Sequence, residues 1–171
     1  FLSGANLAWN QFGGDVGYGN NPNLTYFNNM FAAIKAAGGN SMRWWLHTDA
    51  SFTPQIETNG SCPGLSHNMT NAQVIGQMED VLDAAYANGV MVDICLFSFD
   101  MLQDSTNKAW SDFNGKGNYN FLTTPSNIDS YIDNALTPMV NALKDHPALL
   151  CWEVFNEPEG MTSEHGWTGN Q

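Results

Sequence analysis

Apolar positions along this chain switch repeatedly between strand-like runs and helical spacing. Residues 1–9, Phe-Leu-Ser-Gly-Ala-Asn-Leu-Ala-Trp, read as a first strand, and the Gly- and Asn-rich stretch from Asn10 to Asn21 reads as a long, aromatic loop. Pro22 then opens a helix in which Leu24, Phe27, Phe31 and Ile34 recur at helical spacing, closed by Gly38-Gly39. Asn40 to His47 is a second strand whose alternation puts Arg43, Trp45 and His47 on one face and Met42, Trp44 and Leu46 on the other. After a loop over residues 48–69, Thr70 caps a helix with Val74, Met78, Val81, Leu82 and Ala85 as its buried stripe, ended by Asn88-Gly89. Val90 to Phe97 is nearly continuous in apolar residues, as in a parallel strand covered on both faces, with Asp93 its one charge. A loop over residues 98–123 leads to a helix at Thr124-Pro125 with Ile128, Ile132, Ala135, Met139 and Leu143 inward and a kink expected at Pro138. The last run, Leu149 to Phe155, is too short for a globular helix and delivers Asn156-Glu157 to Pro158, so it reads as a buried strand presenting a carboxylate.

The connections have a polarity. Each helix-to-strand link is roughly two to five residues, whereas the strand-to-helix links run to roughly twelve, twenty and twenty-five, so the long loops gather at the C-terminal ends of the strands. That is the plan of a (β/α)8 TIM barrel, of which four strands and three helices are present, and the site is expected at the C-terminal rim. A doubly wound open sheet is the alternative. Against it, no Gly-x-Gly-x-x-Gly follows the first strand, and the strands carry polar residues, Asn6, Arg43, Asp93 and Glu153, suited to a barrel interior.

Composition narrows the partners. With 43% hydrophobic residues and ten Phe, six Trp and five Tyr, 171 residues can bury one sizeable core. A net charge of -12 repels nucleic acid and anionic lipid, so neither is an expected partner. No run approaches the length of a membrane span. Only 13% of residues are charged while Asn, Gly, Ser and Thr abound, which suits a secreted, extracellular protein from which any export signal has been removed. Cys95 and Cys151, within apolar runs, read as buried free thiols; Cys62, beside Pro63-Gly64, is either free or paired with a cysteine outside this chain. Sequons at Asn23, Asn59 and Asn68 are as many as chance gives in so Asn-rich a chain. His47, His67, His146 and His165 show no ligand spacing, so neither metal nor cofactor is implied.

Four strand tips converge on the expected rim: Trp9 and Asn10, Trp45 and His47, Phe97 and Phe99, Asn156 and Glu157. Aromatic faces against C–H surfaces, with amide, carboxylate and imidazole groups for hydroxyls, form a composition that binds neutral sugars. Phe12, Tyr18, Trp110, Phe113, Tyr119 and Phe121 would extend the groove. Inside the barrel, alternation brings Arg43, Asp93 and Glu153 together as an ion-paired layer, because a lone buried charge is costly.

The chain resembles glycoside hydrolase family 5, and within it the β-mannanases, at Phe1-Leu2-Ser3-Gly4-Ala5-Asn6-Leu7-Ala8-Trp9, at Arg43-x-Trp45-x-His47, and at Trp152-Glu153-Val154-Phe155-Asn156-Glu157-Pro158-Glu159-Gly160. The resemblance implies that Glu157 is the general acid/base, that Asn156 holds the 2-hydroxyl of the sugar whose bond is cut, and that Arg43 supports the nucleophilic carboxylate. His47, Trp9, Trp45 and Phe97 complete the expected substrate contacts. It implies retaining hydrolysis, which needs two carboxyl groups about 5–5.5 Å apart. In the family the nucleophile belongs to the seventh strand, which this chain does not reach. Glu153 lies about 13 Å below Glu157 by strand rise and cannot replace it; nothing in the sequence fixes Glu159 or Glu164 at the required distance. The expectation is the N-terminal half of a retaining endo-β-1,4-mannanase acting on a neutral polysaccharide, mannan or glucan, with the missing C-terminal half of the barrel as its partner. An endo-β-1,4-glucanase and a non-catalytic sugar-binding half-barrel are the alternatives.

Overall fold

The structure, a computed structural model, describes residues 1–19, 21–102 and 115–161. Its framework is a four-stranded parallel sheet in sequential order: β1 (Gly4–Asn6), β2 (Ser41–Thr48), β3 (Met91–Ser98) and β4 (Leu149–Asn156). Helices α1 (Leu24–Ala36) and α2 (Asn71–Ala87) follow β1 and β2. Between β3 and β4 lie α3 (Gly115–Thr123), α4 (Pro125–Tyr131), a π-turn (Ile132–Leu136) and α5 (Thr137–Leu143). An order of 1-2-3-4 without reversal has no topological switch point, which rules out the doubly wound alternative and leaves a segment of a (β/α)8 barrel. β1 is shorter than its sequence pattern, although ladder bonds from Leu7 N to Arg43 O (3.1 Å) and from Trp45 N to Ala8 O (2.8 Å) carry its pairing onward. Only glycine fits at its start: a Cβ on Gly4 would stand 1.8 Å from the Ser41 carbonyl oxygen.

The apolar face of each strand packs under the helices. Met42, Trp44 and Leu46 of β2 and Val92, Ile94 and Leu96 of β3 are buried against Phe27 and Phe31 of α1, the α2 stripe, and Met139 and Leu143 of α5. All five stripe residues expected for α2 are buried, and Thr70 begins that helix with a capping box to Gln73.

Two elements depart from their sequence patterns for identifiable reasons. Pro138 has no N–H to give the Asn134 carbonyl, and the helix accommodates it with the π-turn, where Thr137 N bonds Ile132 O. The freed Asn134 carbonyl accepts from Asn71 Nδ2 of α2. The wider turn shifts the helical phase, so Tyr131 faces the core while Ile128 (37% exposed) and Ile132 (40%) turn outward. In β2, Trp45 pairs with Cys95 but Thr48 with Phe97, so Leu46 and His47 together oppose Leu96. This bulge ends the alternation and sends His47 under the helices instead of toward the barrel axis.

No helix of the described residues is long and apolar enough to cross a membrane.

Candidate active site

The inward face of the sheet carries a connected polar group. Arg43 grips Glu153 through both ends of its fork, Nε to Oε2 at 2.7 Å and Nη2 to Oε1 at 2.6 Å. Its Nη1 donates to Asn6 Oδ1 (3.3 Å) and its Nη2 also to Asn156 Oδ1 (3.1 Å). The hydrogen bonds from Arg43 hold the Glu153 carboxyl below its ordinary range, and the same pairing raises the guanidinium. Glu153 is thus a fixed anion committed to Arg43. The expected layer forms without Asp93 in the fork; Asp93 Oδ1 instead accepts from the Cys151 thiol at 3.2 Å. Cys151, expected to be buried, is exposed because it lies on this inward face, while Cys95 is buried. Cys62 is a free thiol, 1% exposed, donating to the Gly64 carbonyl at 3.3 Å, and burial pushes it up to about 12.

At the tip of β4, Asn156 is buried with its amide oriented by Arg43: Oδ1 takes the guanidinium bond, which leaves Nδ2 buried without a hydrogen-bond partner among the described residues. Next to it Glu157 is exposed at φ +51°, the left-handed region that a side chain rarely adopts. A 3-10 turn, Pro158–Met161, holds that conformation through the bond from Gly160 N to Glu157 O at 2.9 Å. A Cβ on Gly160 would come within 2.8 Å of Phe99 Cβ, so the turn seats tightly on the segment after β3. Strain of this kind at a strand tip, beside an oriented amide, marks a site that the surrounding structure over-determines.

Trp45 lies over the Arg43 guanidinium, 5.2 Å to the ring centroid, and donates its indole N–H to Asn6 Oδ1 at 3.1 Å. Trp9 meets Trp45 edge-on at 5.2 Å and Phe12 at 4.8 Å. Trp9, Trp45, Arg43, Asn156 and Glu157 therefore gather at one rim, as their sequence positions suggested.

His47 and Phe97 do not join them. His47 is fully buried, with Nδ1 3.0 Å from Thr53 Oγ1 and its ring 5.1 Å from Phe97 and 5.9 Å from Tyr131. Burial lowers its pKa to about 3. Phe97 is 3% exposed because α3, an element absent from the sequence pattern, lays Phe121 over it at 5.7 Å. Neither ring offers a surface to a sugar, and Phe121, expected in the groove, is core. Trp110, Phe113, Glu164 and His165 lie outside the described residues.

Sequence reasoning passed over Asp15. Its carboxylate, 2% exposed, accepts from Asn10 N, Gln11 N and Trp44 Nε1, pinning the β1–α1 loop to the core. Its position as the single acid in a Gly-rich loop was the available signal. Among the described residues, no group of His, Cys, Asp and Glu could hold a metal ion.

A family model described as Cellulase (glycosyl hydrolase family 5) matches residues 3–171. A mannan endo-1,4-beta-mannosidase of Cryptopygus antarcticus is 40% identical over 165 residues, which are 94% of this chain and 38% of that protein. The structure of the beta-mannanase from the blue mussel Mytilus edulis aligns with a TM-score of 0.80 at 32% identity, over 94% of this chain and 42% of the mussel chain. That of the endo-1,4-beta-mannanase from Eisenia fetida gives 0.79 at 36% identity, over 94% and 41%. The chain thus spans about 40% of the length of these relatives, as its four-stranded segment of a barrel requires. The match runs through all four strands and both sides of the β4 tip, and on it the chain belongs to glycosyl hydrolase family 5.

Proposed function

We propose that this chain is the acid/base-bearing part of a retaining endo-β-1,4-mannanase. The observation that carries the reading is the β4 tip, where a strained, exposed Glu157 stands next to an amide whose orientation Arg43 dictates. In this reading Glu157, protonated, gives its proton to the glycosidic oxygen as the bond breaks, then takes one from the water that releases the sugar from the enzyme. Asn156 Nδ2, a buried donor with no acceptor among the described residues, satisfies its hydrogen bond on a sugar hydroxyl of the unit being cleaved. Trp45 and Trp9 supply aromatic faces for neighbouring units, and Arg43 positions Asn156 rather than reacting. The nucleophile is supplied from outside this chain, because Glu153, the other inward carboxylate of β4, is held by Arg43 in a two-bond clasp. The relatives' action on mannan supports that substrate, and the sparsely charged polar composition supports work outside the cell.

The test is Glu157→Gln in the full-length protein. Reducing-sugar release from mannan should fall by about 10² to 10⁴-fold, the typical cost of losing a general acid/base, with an unchanged circular dichroism spectrum. A variant that keeps most of its turnover would remove Glu157 from the mechanism. The family model's cellulase description favours a second reading, an endo-β-1,4-glucanase, and faster release from carboxymethylcellulose than from mannan would establish it.

A further inference from the structure

The loop after β2 throws out a small hairpin. Gln55 and Gly64 pair antiparallel, with Gln55 N donating to Gly64 O at 3.0 Å, and the tip closes through Glu57 N to Ser61 O (2.9 Å) and Gly60 N to Glu57 O (2.8 Å). Gly60 turns at φ +89°, and a Cβ there would stand 2.5 Å from Phe121 N, so the tip lies close on α3 and only glycine fits at its bend. The hairpin is held through its backbone. Asn120 Nδ2 donates to Thr58 O and Asn127 Nδ2 to Asn59 O, both at 2.9 Å. Beside them Ser130 Oγ accepts from Cys62 N and Asn134 Nδ2 donates to Cys62 O, again at 2.9 Å each. These anchors leave the exposed Asn59 side chain unused. Its Oδ1 accepts from Ser61 N (3.0 Å) and Ser61 Oγ (2.8 Å), and its Nδ2 makes no hydrogen bond to the described residues.

We propose that Asn59 is an N-glycosylation site, bearing an oligosaccharide joined through N-acetylglucosamine once the chain has passed through a eukaryotic secretory lumen. Asn59-Gly60-Ser61 is one of three Asn-x-Ser/Thr sequons, and the structure tells them apart. At Asn23 the next two residues, Leu24 and Thr25, are the first turn of α1, where side chains two apart do not face each other, and Asn23 Oδ1 is taken by Tyr26 N at 3.1 Å. At Asn68 the sequon hydroxyl belongs to Thr70, which spends it on the α2 cap, accepting from Gln73 N and donating to Gln73 Oε1. Asn59 alone sits at a loop tip with its amide and the sequon hydroxyl already together, in an Asx turn. In the transfer, Asn59 Nδ2 bonds the anomeric carbon of N-acetylglucosamine in a polyprenyl-diphosphate-linked oligosaccharide. The bond from that carbon to the diphosphate oxygen breaks, the diphosphate leaves with the electron pair, and Nδ2 gives up one proton. The two donors on Oδ1 draw charge toward the oxygen and ease the loss of that proton. The glycosylated amide keeps its oxygen, so both bonds from Ser61 survive, and the backbone anchors need no repacking.

The inference rests on the extracellular reading, and its test separates the two. The full-length protein is produced in insect cells, and the secreted fraction is examined by mass spectrometry of intact glycopeptides. Asn59 should carry a glycan in most molecules, and Asn23 and Asn68 in few. Asn59→Gln and Ser61→Ala should each abolish the glycan at position 59, whereas Ser61→Thr, which keeps a hydroxyl, should retain it. Ser61→Ala leaves the asparagine and its bond from the backbone of residue 61 in place, so the loss is legible even if Asn59→Gln misfolds. A bare Asn59 in secreted wild type overturns the proposal, and so does equal occupancy of all three sequons. Should the protein remain inside the cells, the extracellular reading falls, and translation into microsomes behind a supplied leader decides the acceptor by itself. A glycan on Asn59 there supports the proposal; an unmodified Asn59 overturns it.

Discussion

Arg43 shows how one side chain can organise a site without touching the reacting bond. Its Nε and Nη2 meet Glu153, its Nη1 meets Asn6 and its Nη2 also meets Asn156, so the direction of the Asn156 amide is a consequence of an ion pair made three residues earlier on the same strand. Arg43→Ala frees both Asn156 and the Glu153 anion, and turnover on mannan should drop about 10²-fold, the scale of a small misplacement of a reacting group, with Glu157 still present. Activity within two-fold of wild type would show that Asn156 orients itself. His47 makes a different prediction, in stability. The unfolded chain protonates this ring as pH falls below about 6.5, but the folded protein resists until about 3, because the imidazole is fully buried. Between those values the unfolded state binds more protons, so the contribution of His47 to stability is complete above about 6.5 and is lost as pH falls, by roughly 3 kcal/mol at pH 4. Urea midpoints of wild type should decline over that window more steeply than those of His47→Phe. Parallel profiles would mean that the folded ring titrates as freely as the unfolded one.

At the scale of elements, local signals and tertiary demands were in agreement for α2 and in conflict for α4 and α5. The α2 stripe, its capping box and its Asn88 end are encoded within a single stretch, so that helix depends little on its neighbours for its limits. Thr70→Ala removes the hydroxyl that accepts from Gln73 N and should cost about 1 kcal/mol in chemical denaturation. A loss near zero would show that packing alone sets the start of α2. The α4–α5 stretch obeys Pro138 instead. The π-turn rephases it so that Tyr131 enters the core, an outcome that strict helical periodicity assigns to Ile128 and Ile132.

At the scale of the whole molecule, the described sheet has β1 and β4 as its outer strands, and its inward face leaves Cys151 exposed and the Arg43–Glu153 pair partly accessible. Val154, 62% exposed, adds an uncovered apolar residue on β4. Unpaired edges and such a face favour association. The 171-residue chain purified by itself should therefore elute as oligomers or aggregate, and it should not hydrolyse mannan. A monodisperse monomer, by light scattering, that turns mannan over at about 1 to 10³ per second would refute this, since it would require a complete pair of carboxylates within the chain.

The sequence by itself determined the alternation of strands and helices, the polarity of the loops, the family and the β4 tip. Each of these is carried by short-range signals: apolar period, caps, breakers and a contiguous Trp-Glu-Val-Phe-Asn-Glu-Pro run. Tertiary structure decided which of the rim candidates reach the rim. Arg43 and Trp45 follow strict alternation and lie there; Asn156 and Trp9 also reach it although each is an odd three residues beyond the inward Glu153 and Asn6, whereas one inserted residue in β2 turns His47 under the helices and α3 covers Phe97. The physical reason is that a side chain's facing is periodic only while the ladder is unbroken; a bulge is placed by the pairing partner, and burial by whatever element packs above, neither of which is written at the residue that moves.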